Sequence, residues 1–313
     1  MRKLKKWLSE YPILWIISIM VGLIIIISLF SSRFFTVANF SNLMKQVSII
    51  AILGAGQTVV ILSGGIDLSV GAVLALGAVL MGGLINIGID PVIAALIGVA
   101  LSTLCGALNG IIIGIGKIPP FIATLGMMGI ARGLALVYTK GVSVMVLNPL
   151  FMYFGSGKLL GLPVPIIIVF LVYIVIYILL TQTILGRNIY AIGDNEEASN
   201  LAGINITKHK VIIYTISGFL AGVAALIMVG RLCSAPPHVA GGAELNAIAA
   251  VIIGGTSFLG GIGNVESTFF GAMIMSILTN GLNLLGVSSF WQQTFIGMII
   301  IIAVWIDKLR IKK

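Results

Sequence analysis

The sequence has few charged residues and few groups suited to catalysis. Only 9% of its 313 residues are Asp, Glu, Lys or Arg, against the roughly 25% of a soluble domain. It contains two histidines and two cysteines, Cys105 and Cys233, whose separation supports neither a disulfide nor a metal site. It has no Gly-x4-Gly-Lys-Ser/Thr phosphate loop and no His/Glu spacing that holds a metal. We therefore expect no catalytic residues, no bound metal and no ATP hydrolysis by that route.

Long apolar runs are abundant instead. Hydrophobic residues make up 59% of the chain, and the mean hydropathy is +1.19. Residues 13–30, 164–180 and 290–306 each approach or exceed the ~17 apolar residues needed to cross a hydrocarbon core. Because backbone amides in lipid must be paired internally, these runs predict helices. The 39 glycines then indicate close helix packing and hinges. The sequence predicts an all-α integral membrane protein forming one polytopic domain, 1–313.

About ten transmembrane helices are predicted, one of them short or re-entrant. The segments are 13–31, 42–62, 67–86, 91–115, 119–139, 163–183, 210–230, 244–256, 264–285 and 290–306. Basic residues are concentrated at both chain ends, a bias that places both termini in the cytoplasm and argues against nucleic acid as a partner. The first segment is long for a signal peptide, and no clear cleavage site follows it, so it is expected to be retained.

Two glycine pairs interrupt the apolar pattern. Gly64-Gly65 is followed by Asp67 and Ser69, and Gly254-Gly255 is followed by Thr256 and Ser257. Interrupted helices in corresponding positions are typical of a transporter's functional core, so the pairs indicate an internal repeat and a gate or hinge. A carboxylate at a helix centre costs about 2.5–3.5 kcal/mol in a bilayer, which singles out Asp67. The alternative interpretation is helix capping by Asp67 and Ser257.

Small residues recur every four positions in segment 91–115, at Gly98, Ser102, Gly106, Gly110 and Gly114. This stripe predicts a close helix crossing. Asn109 lies beside it, and the alternative interpretation is that it lines a translocation path.

The longest polar stretch in the interior is 181–210, predicted to be cytoplasmic. Within it, residues 197–203 combine good helix formers with a terminating glycine. Composition alone favours a solvated connector here.

Five ordered motifs give the chain a resemblance to a known family. They are residues 64–71, 120–125, 186–193, 244–263 and 280–289. Together they resemble the permease subunits of bacterial ABC sugar importers of the ribose type, over about 34–307. Two departures, Asn246 in place of Asp and Pro236 in place of Gln, weaken the indication of ribose itself over a related sugar.

The resemblance implies a type II ABC importer permease-like bundle in the bacterial inner membrane. It implies a homodimer in lipid, a cytoplasmic ATPase subunit that hydrolyses ATP-Mg, and an extracytoplasmic sugar-binding protein; this chain would bind no cofactor itself. Region 181–210 then becomes the coupling loop, with contacts to the ATPase at Glu196, Glu197, Ala198, Ser199 and Gly203. The expected sugar path includes Asn109, Phe121, Thr124 and Asn283. The competing hypothesis is an ion-coupled secondary transporter that uses Asp67.

Overall fold

The computed structural model describes residues 12–311, with side chains described for 13–305. The helices within that range are α1 (Pro12–Phe30), α2 (Val37–Leu62), α3 (Val70–Asn86), α4 (Pro91–Gly114), α5 (Pro120–Thr139), α6 (Pro149–Ser156), α7 (Val164–Gln182), α8 (Ile184–Asp194), α9 (Glu196–Leu201), α10 (Ile206–Leu232), α11 (Ala243–Ile253), α12 (Val265–Leu284) and α13 (Ser289–Ile311). Four two-residue strands are β1 (Val144–Met145), β2 (Lys158–Leu159), β3 (Leu162–Pro163) and β4 (Ser234–Ala235).

The fold confirms an all-α membrane protein. Each of the ten predicted segments corresponds to a helix in the described range, and α6, α8 and α9 are additional. Six helices are long and apolar enough to cross a membrane, namely α1, α2, α4, α5, α7 and α10. Shorter apolar helices are α3, α11 and residues 289–305 of α13. The basic residues of 1–11, and the basic side chains beyond 305, lie outside the description.

Helix boundaries differ from the predictions where a cap or a glycine acts. Thr36 Oγ1 accepts a hydrogen bond from Asn39 N (3.3 Å), so α2 begins five residues before its predicted start. Helix α3 begins at Val70, which leaves Asp67 before the helix rather than in it. Helix α11 ends at Ile253 instead of 256, because Gly255 takes a φ of +86° that cannot continue a right-handed helix.

The predicted close crossing is present between α4 and α10. A Cβ placed on Gly106 would lie 2.9 Å from the Cα of Gly218, and one placed on Gly114 would lie 3.1 Å from the Cα of Thr207. At the other end of the stripe, a Cβ on Gly98 would meet the Gly77 carbonyl of α3 at 3.0 Å. The stripe therefore allows backbones to approach without intervening side chains, as small residues do in membrane bundles.

The bundle has two distinct ends. Helix α10 starts beside α9, where Lys210 contacts Glu196, and finishes before β4, which pairs antiparallel with β1. We call these the α9 end and the β end. Helix α5 runs in the same direction as α10, since Pro120 and Glu196 line one cavity. The N-terminal end of α13 is hydrogen-bonded to the C-terminal end of α12 at the β end, where Gln292 Nε2 donates to Asn283 Oδ1 (2.8 Å).

One crossing of the bundle combines an irregular segment and a half-length helix. After β4 the chain enters the bundle as the irregular segment 236–242, here called the central loop. It then continues as α11. Eleven residues of helix span about 16 Å, roughly half of a 30 Å hydrocarbon core. The chain then reaches the α9 end, where Gly261 N donates to Leu62 O (3.0 Å). The predicted segment 244–256 thus crosses only together with the central loop.

Candidate functional site

A short helix stands at the α9 end with most of its surface uncovered. Asn195 caps α9, its Oδ1 accepting from Ala198 N (2.9 Å), and Gly203 follows with a φ of +86°. Glu197 is exposed, whereas Ser199 is buried against the bundle. Of the residues expected to contact an ATPase, Ser199 faces inward and Glu196, Glu197, Ala198 and Gly203 lie on the outer surface.

An ion pair holds α9 against α10. Lys210 Nζ donates to both carboxylate oxygens of Glu196, at 2.7 and 2.8 Å. A surface ion pair contributes only about 0–1 kcal/mol to stability, but this one fixes the orientation of a six-residue helix. Beside it lies a cavity of about 630 Å³, lined in part by Lys117, Pro119 and Glu197.

The two glycine breaks meet at this end, and α8 joins them. A Cβ on Gly193 would collide with the Leu62 carbonyl and lie 2.6 Å from Gly261 N. A Cβ on Gly260 would lie 2.9 Å from Gly64 N. We call Gly64, Gly193, Gly260 and Gly261 the glycine joint. Three of them have positive φ: Gly64 (+77°), Gly260 (+93°) and Gly261 (+71°). Only glycine allows the backbone of α8 and the backbones of the two breaks to meet in this way.

Helix α8 is tied to the second break by a further hydrogen bond. Tyr190 Oη donates to Gly263 O at 2.8 Å. Burial raises the pKa of the Tyr190 hydroxyl, and the nearby Glu266 carboxylate raises it further. Because the ordinary pKa of tyrosine is already about 10, the hydroxyl keeps its proton at neutral pH and remains a donor. Helix α8 is therefore held to residues 260–263 by this bond as well as by the contact of Gly193 with Gly261.

The capping interpretation is wrong for Ser257. Its Oγ accepts from Leu259 N (3.2 Å), and α12 starts only at Val265, where Asn264 Oδ1 caps it by accepting from Ser267 N (2.8 Å). Of the other predicted hinge residues, Gly254 packs against the Ser267 backbone, so that a Cβ would lie 2.8 Å away. Thr256 is buried, and its Oγ1 has no hydrogen-bond partner among the described residues.

Asp67 lies inside the bundle, and its side chain bonds to α10 besides its own segment. Its Oδ1 accepts from Ser69 N (2.9 Å) and Ser69 Oγ (2.6 Å), and its Oδ2 accepts from Ser217 Oγ (2.8 Å). Asn109 Nδ2 donates to Ser69 Oγ (2.9 Å). Ser217 is about 17 Å along α10 from its start. Asp67, only 1% exposed, therefore lies within the bundle and not at its surface.

The first break is further fixed through its backbone. Tyr214 Oη donates to Ile66 O (3.2 Å), and Thr124 Oγ1 is 3.4 Å from the same oxygen. Gly65 packs against the Tyr214 ring: a Cβ placed on Gly65 would lie 3.4 Å from Tyr214 Cζ. The segment between α2 and α3 is thus held by side chains from α5 and α10.

The residues expected along a sugar path do not form one group. Asn109 and Thr124 are fully buried and both contact the 66–69 segment. Phe121 is 53% exposed at the start of α5. Asn283 lies at the β end, bonded to Gln292 (2.8 Å). The structure brings two of the four together and separates the other two.

Several residues of this site had no signal in the sequence. Gly193, Tyr190 and Ser217 are distant in sequence from the breaks that they contact, and no spacing rule connects them. Lys210 is different, because it lies within the polar stretch that drew attention to Glu196, and opposite charges there could have suggested their pairing.

The contacts connect α9 with both breaks. Gly193 of α8, which directly precedes α9, packs against the segments before α3 and α12. Within residues 12–311, no group of three or more His, Cys, Asp or Glu is placed to hold a metal ion.

A multi-pass helical bundle with interrupted helices is typical of membrane transport components. The chain is a member of the family described as branched-chain amino acid transport system / permease component, which matches residues 39–304. It is 47% identical over 288 residues to the ribose import permease protein of Bacillus subtilis strain 168, covering 91% of this chain and 89% of the relative.

Other relatives are similar to this chain over nearly its whole length. The ribose import permease protein of Escherichia coli strain K12 is 44% identical over 307 residues, covering 97% of this chain and 95% of the relative. The D-allose transport system permease protein of the same strain is 39% identical over 302 residues, covering 96% and 92%. No solved structure gives a significant match. None of these findings supports the ion-coupled alternative.

Proposed function

We propose that this chain is the transmembrane permease subunit of an ABC importer that moves ribose or a related monosaccharide across the bacterial inner membrane. A separate ATPase subunit supplies the energy by hydrolysing ATP-Mg, and an extracytoplasmic binding protein delivers the sugar. The permease itself has no enzymatic activity and works as a homodimer in lipid. Relatives named for ribose and D-allose import support the substrate class.

The observation that carries this proposal is the exposed helix α9 and its connection to the glycine joint. An ATPase needs a rigid element to push, because a flexible linker would dissipate the movement. Helix α9 is capped at Asn195, bonded to Lys210 and joined to α8 through the single residue Asn195. Its neighbouring cavity of about 630 Å³ adds a recess in which a partner's surface can seat.

The proposal also orients the chain. If α9 meets a cytoplasmic ATPase, the α9 end is cytoplasmic and the β end faces outward. Both the start of α1 and the end of α13 then lie on the cytoplasmic side, since α1 packs through Ile27 against Gly281 near the β end. Asp67 acts in this account as part of a moving joint rather than as a sugar or ion ligand.

Reversing the charge of Glu197 tests the docking surface. Glu197→Lys is expected to lower co-purification of the ATPase by about tenfold, because it replaces an exposed carboxylate by a cation at the centre of the contact. The measurement is the ratio of ATPase to permease after affinity purification of the tagged permease.

Glu266→Lys is the matched control, since Glu266 is also an exposed acid at the α9 end, in the first turn of α12. Both variants should insert into the membrane at normal levels. An unchanged ATPase ratio for Glu197→Lys would contradict docking at α9.

A further inference from the structure

An arginine lies near the middle of α5. Arg132 is the thirteenth of its twenty residues, about 18 Å from the helix start. Its Nη1 donates to Pro237 O (2.7 Å) and Val239 O (3.0 Å) in the central loop. Its remaining N–H groups have no partner among the described residues, and the side chain is only partly buried. A charge at this depth faces a protein partner or a polar cavity rather than lipid.

Two acceptors without donors lie at the start of α11. Glu244 Oε1 accepts from Gly242 N (3.2 Å), but Glu244 Oε2 is enclosed and unpartnered in the described structure. Asn246 Oδ1 is also enclosed and unpartnered there. Glu244 Oε2 lies against Gly71 in the first turn of α3. Buried acceptors are normally hydrogen-bonded, and leaving them unpaired costs free energy. Each of the two lacks a donor of its own, because positions i and i+2 of a helix point to different sides.

The arginine and the carboxylate attract each other without touching. Arg132 and Glu244 are near enough to interact electrostatically. Among the described residues, however, they form no ion pair with each other; Lys210 and Glu196 do. A donor group with unused N–H bonds and an unpartnered acceptor therefore lie near each other at mid-depth, without a direct bond. A hydroxyl is both a donor and an acceptor, so a neutral polyhydroxylated molecule suits both groups.

We propose that Arg132 and Glu244 form a hydroxyl-binding site that a monosaccharide contacts on its way through the bundle. One sugar hydroxyl donates to Glu244 Oε2, and another accepts from the unused N–H groups of Arg132. The inference rests on the proposed function and adds the place where the sugar is recognised. The four path residues expected from the sequence do not include these two.

The site is closed in this conformation and opens by movement of the central loop. Ala240 takes a φ of +58° and Gly242 a φ of +82°, within a seven-residue segment that has no helix or strand. Ala240 O and Glu244 Oε2 both lie against Gly71, so the loop is seated directly on the first turn of α3. The first break, Asp67 included, immediately precedes that turn. Movement of the glycine joint thus reaches the site through α3.

The experiment measures uptake of labelled D-ribose into liposomes containing the permease, its ATPase and its binding protein. Arg132→Gln and Glu244→Gln are compared with Lys140→Gln, which removes a charge from the exposed end of α5. For the first two, ribose taken up per ATP hydrolysed is expected to fall about tenfold, the equivalent of one charged hydrogen bond. ATPase stimulation by the loaded binding protein should remain within about twofold of wild type.

A second readout separates recognition from support of the fold. Wild type is expected to prefer D-ribose to 2-deoxy-D-ribose, and both glutamine variants to lose most of this preference. A structural role alone would lower uptake and ATPase activity together and leave the preference intact, which would overturn the proposal. If the glutamine variants do not fold, Arg132→Lys and Glu244→Asp keep the charges and should still alter the preference.

Wild-type behaviour distinguishes failure of this site from failure of the proposed function. One outcome is that wild type takes up ribose while the Arg132 and Glu244 variants all match it in ribose uptake per ATP and in preference for ribose over deoxyribose. In that case the proposed hydroxyl-binding site is wrong and the proposed function stands. If wild type takes up no D-ribose, D-allose or D-fructose under any of these conditions, the proposed function itself fails.

Discussion

Replacing Gly193 by alanine is expected to abolish coupled transport. Its new Cβ would collide with the Leu62 carbonyl and lie 2.6 Å from Gly261 N. Both neighbours are backbone atoms, so no side chain can rotate away to make space. The backbone segments that meet at the glycine joint must therefore separate. Such overpacking costs about 3 kcal/mol. The measurements are thermal unfolding of the purified permease and ATP-driven sugar uptake by the assembled transporter.

Gly22→Ala is the control for Gly193→Ala, because a Cβ on Gly22 meets nothing within 4 Å. It should unfold at the wild-type temperature and transport normally. If Gly193→Ala also unfolded and transported like wild type, α8 would not be in tight contact with the two breaks, and the joint would be wrong.

Removal of the Asp67 carboxylate is expected to have the second largest effect. Asp67→Ala leaves the Ser69 amide, the Ser69 hydroxyl and the Ser217 hydroxyl without their acceptor. Each buried polar group left unpaired costs about 1–3 kcal/mol, so a loss of about 3–5 kcal/mol in the free energy of unfolding is expected. Asp67→Asn keeps one acceptor and nearly the same volume, and should lose about 1–2 kcal/mol.

The two substitutions also separate a joint from an ion site. In the proposed role, Asp67→Asn retains ATP-driven uptake at a reduced rate, and uptake does not depend on a proton or sodium gradient. Asp90→Ala, which removes an exposed capping carboxylate from α4, should cost less than Asp67→Ala. Gradient-driven uptake by the wild-type chain that Asp67→Asn abolishes would contradict the account.

Local patterns predicted much of the fold. The small-residue stripe predicted the close crossing of α4, and the four-residue period specified which of its faces takes part. Good helix formers ending at Gly203 predicted α9, because both signals are contained within seven residues. The glycine pairs predicted two breaks, since glycine alone tolerates the backbone angles found there.

Contacts between distant segments could not be predicted in the same way. That the two breaks touch depends on how α2, α8 and α12 pack, and a repeat in sequence does not state whether its halves meet. The depth of Asp67 in the bundle is a second example. Its bond to Ser217, 150 residues away, depends on a shortened α3 that starts deep in the bundle.

The half-length crossing shows the same limitation. The apolar pattern of 244–256 suggested either a short span or a re-entrant helix. An irregular loop carries no hydrophobic period, so nothing in residues 236–242 indicated that they pack inside the bundle. Their position became evident only from the bonds of Arg132 to Pro237 and Val239.

The most direct test of the central claim is sugar uptake by liposomes in which each component is omitted in turn. With the permease, its ATPase, its binding protein and ATP-Mg present, labelled D-ribose should accumulate, and unlabelled D-allose or D-fructose should compete if the site accepts related sugars. Omission of the ATPase, of the binding protein or of ATP should reduce uptake to the level of empty liposomes. Accumulation driven by the permease alone would contradict the account.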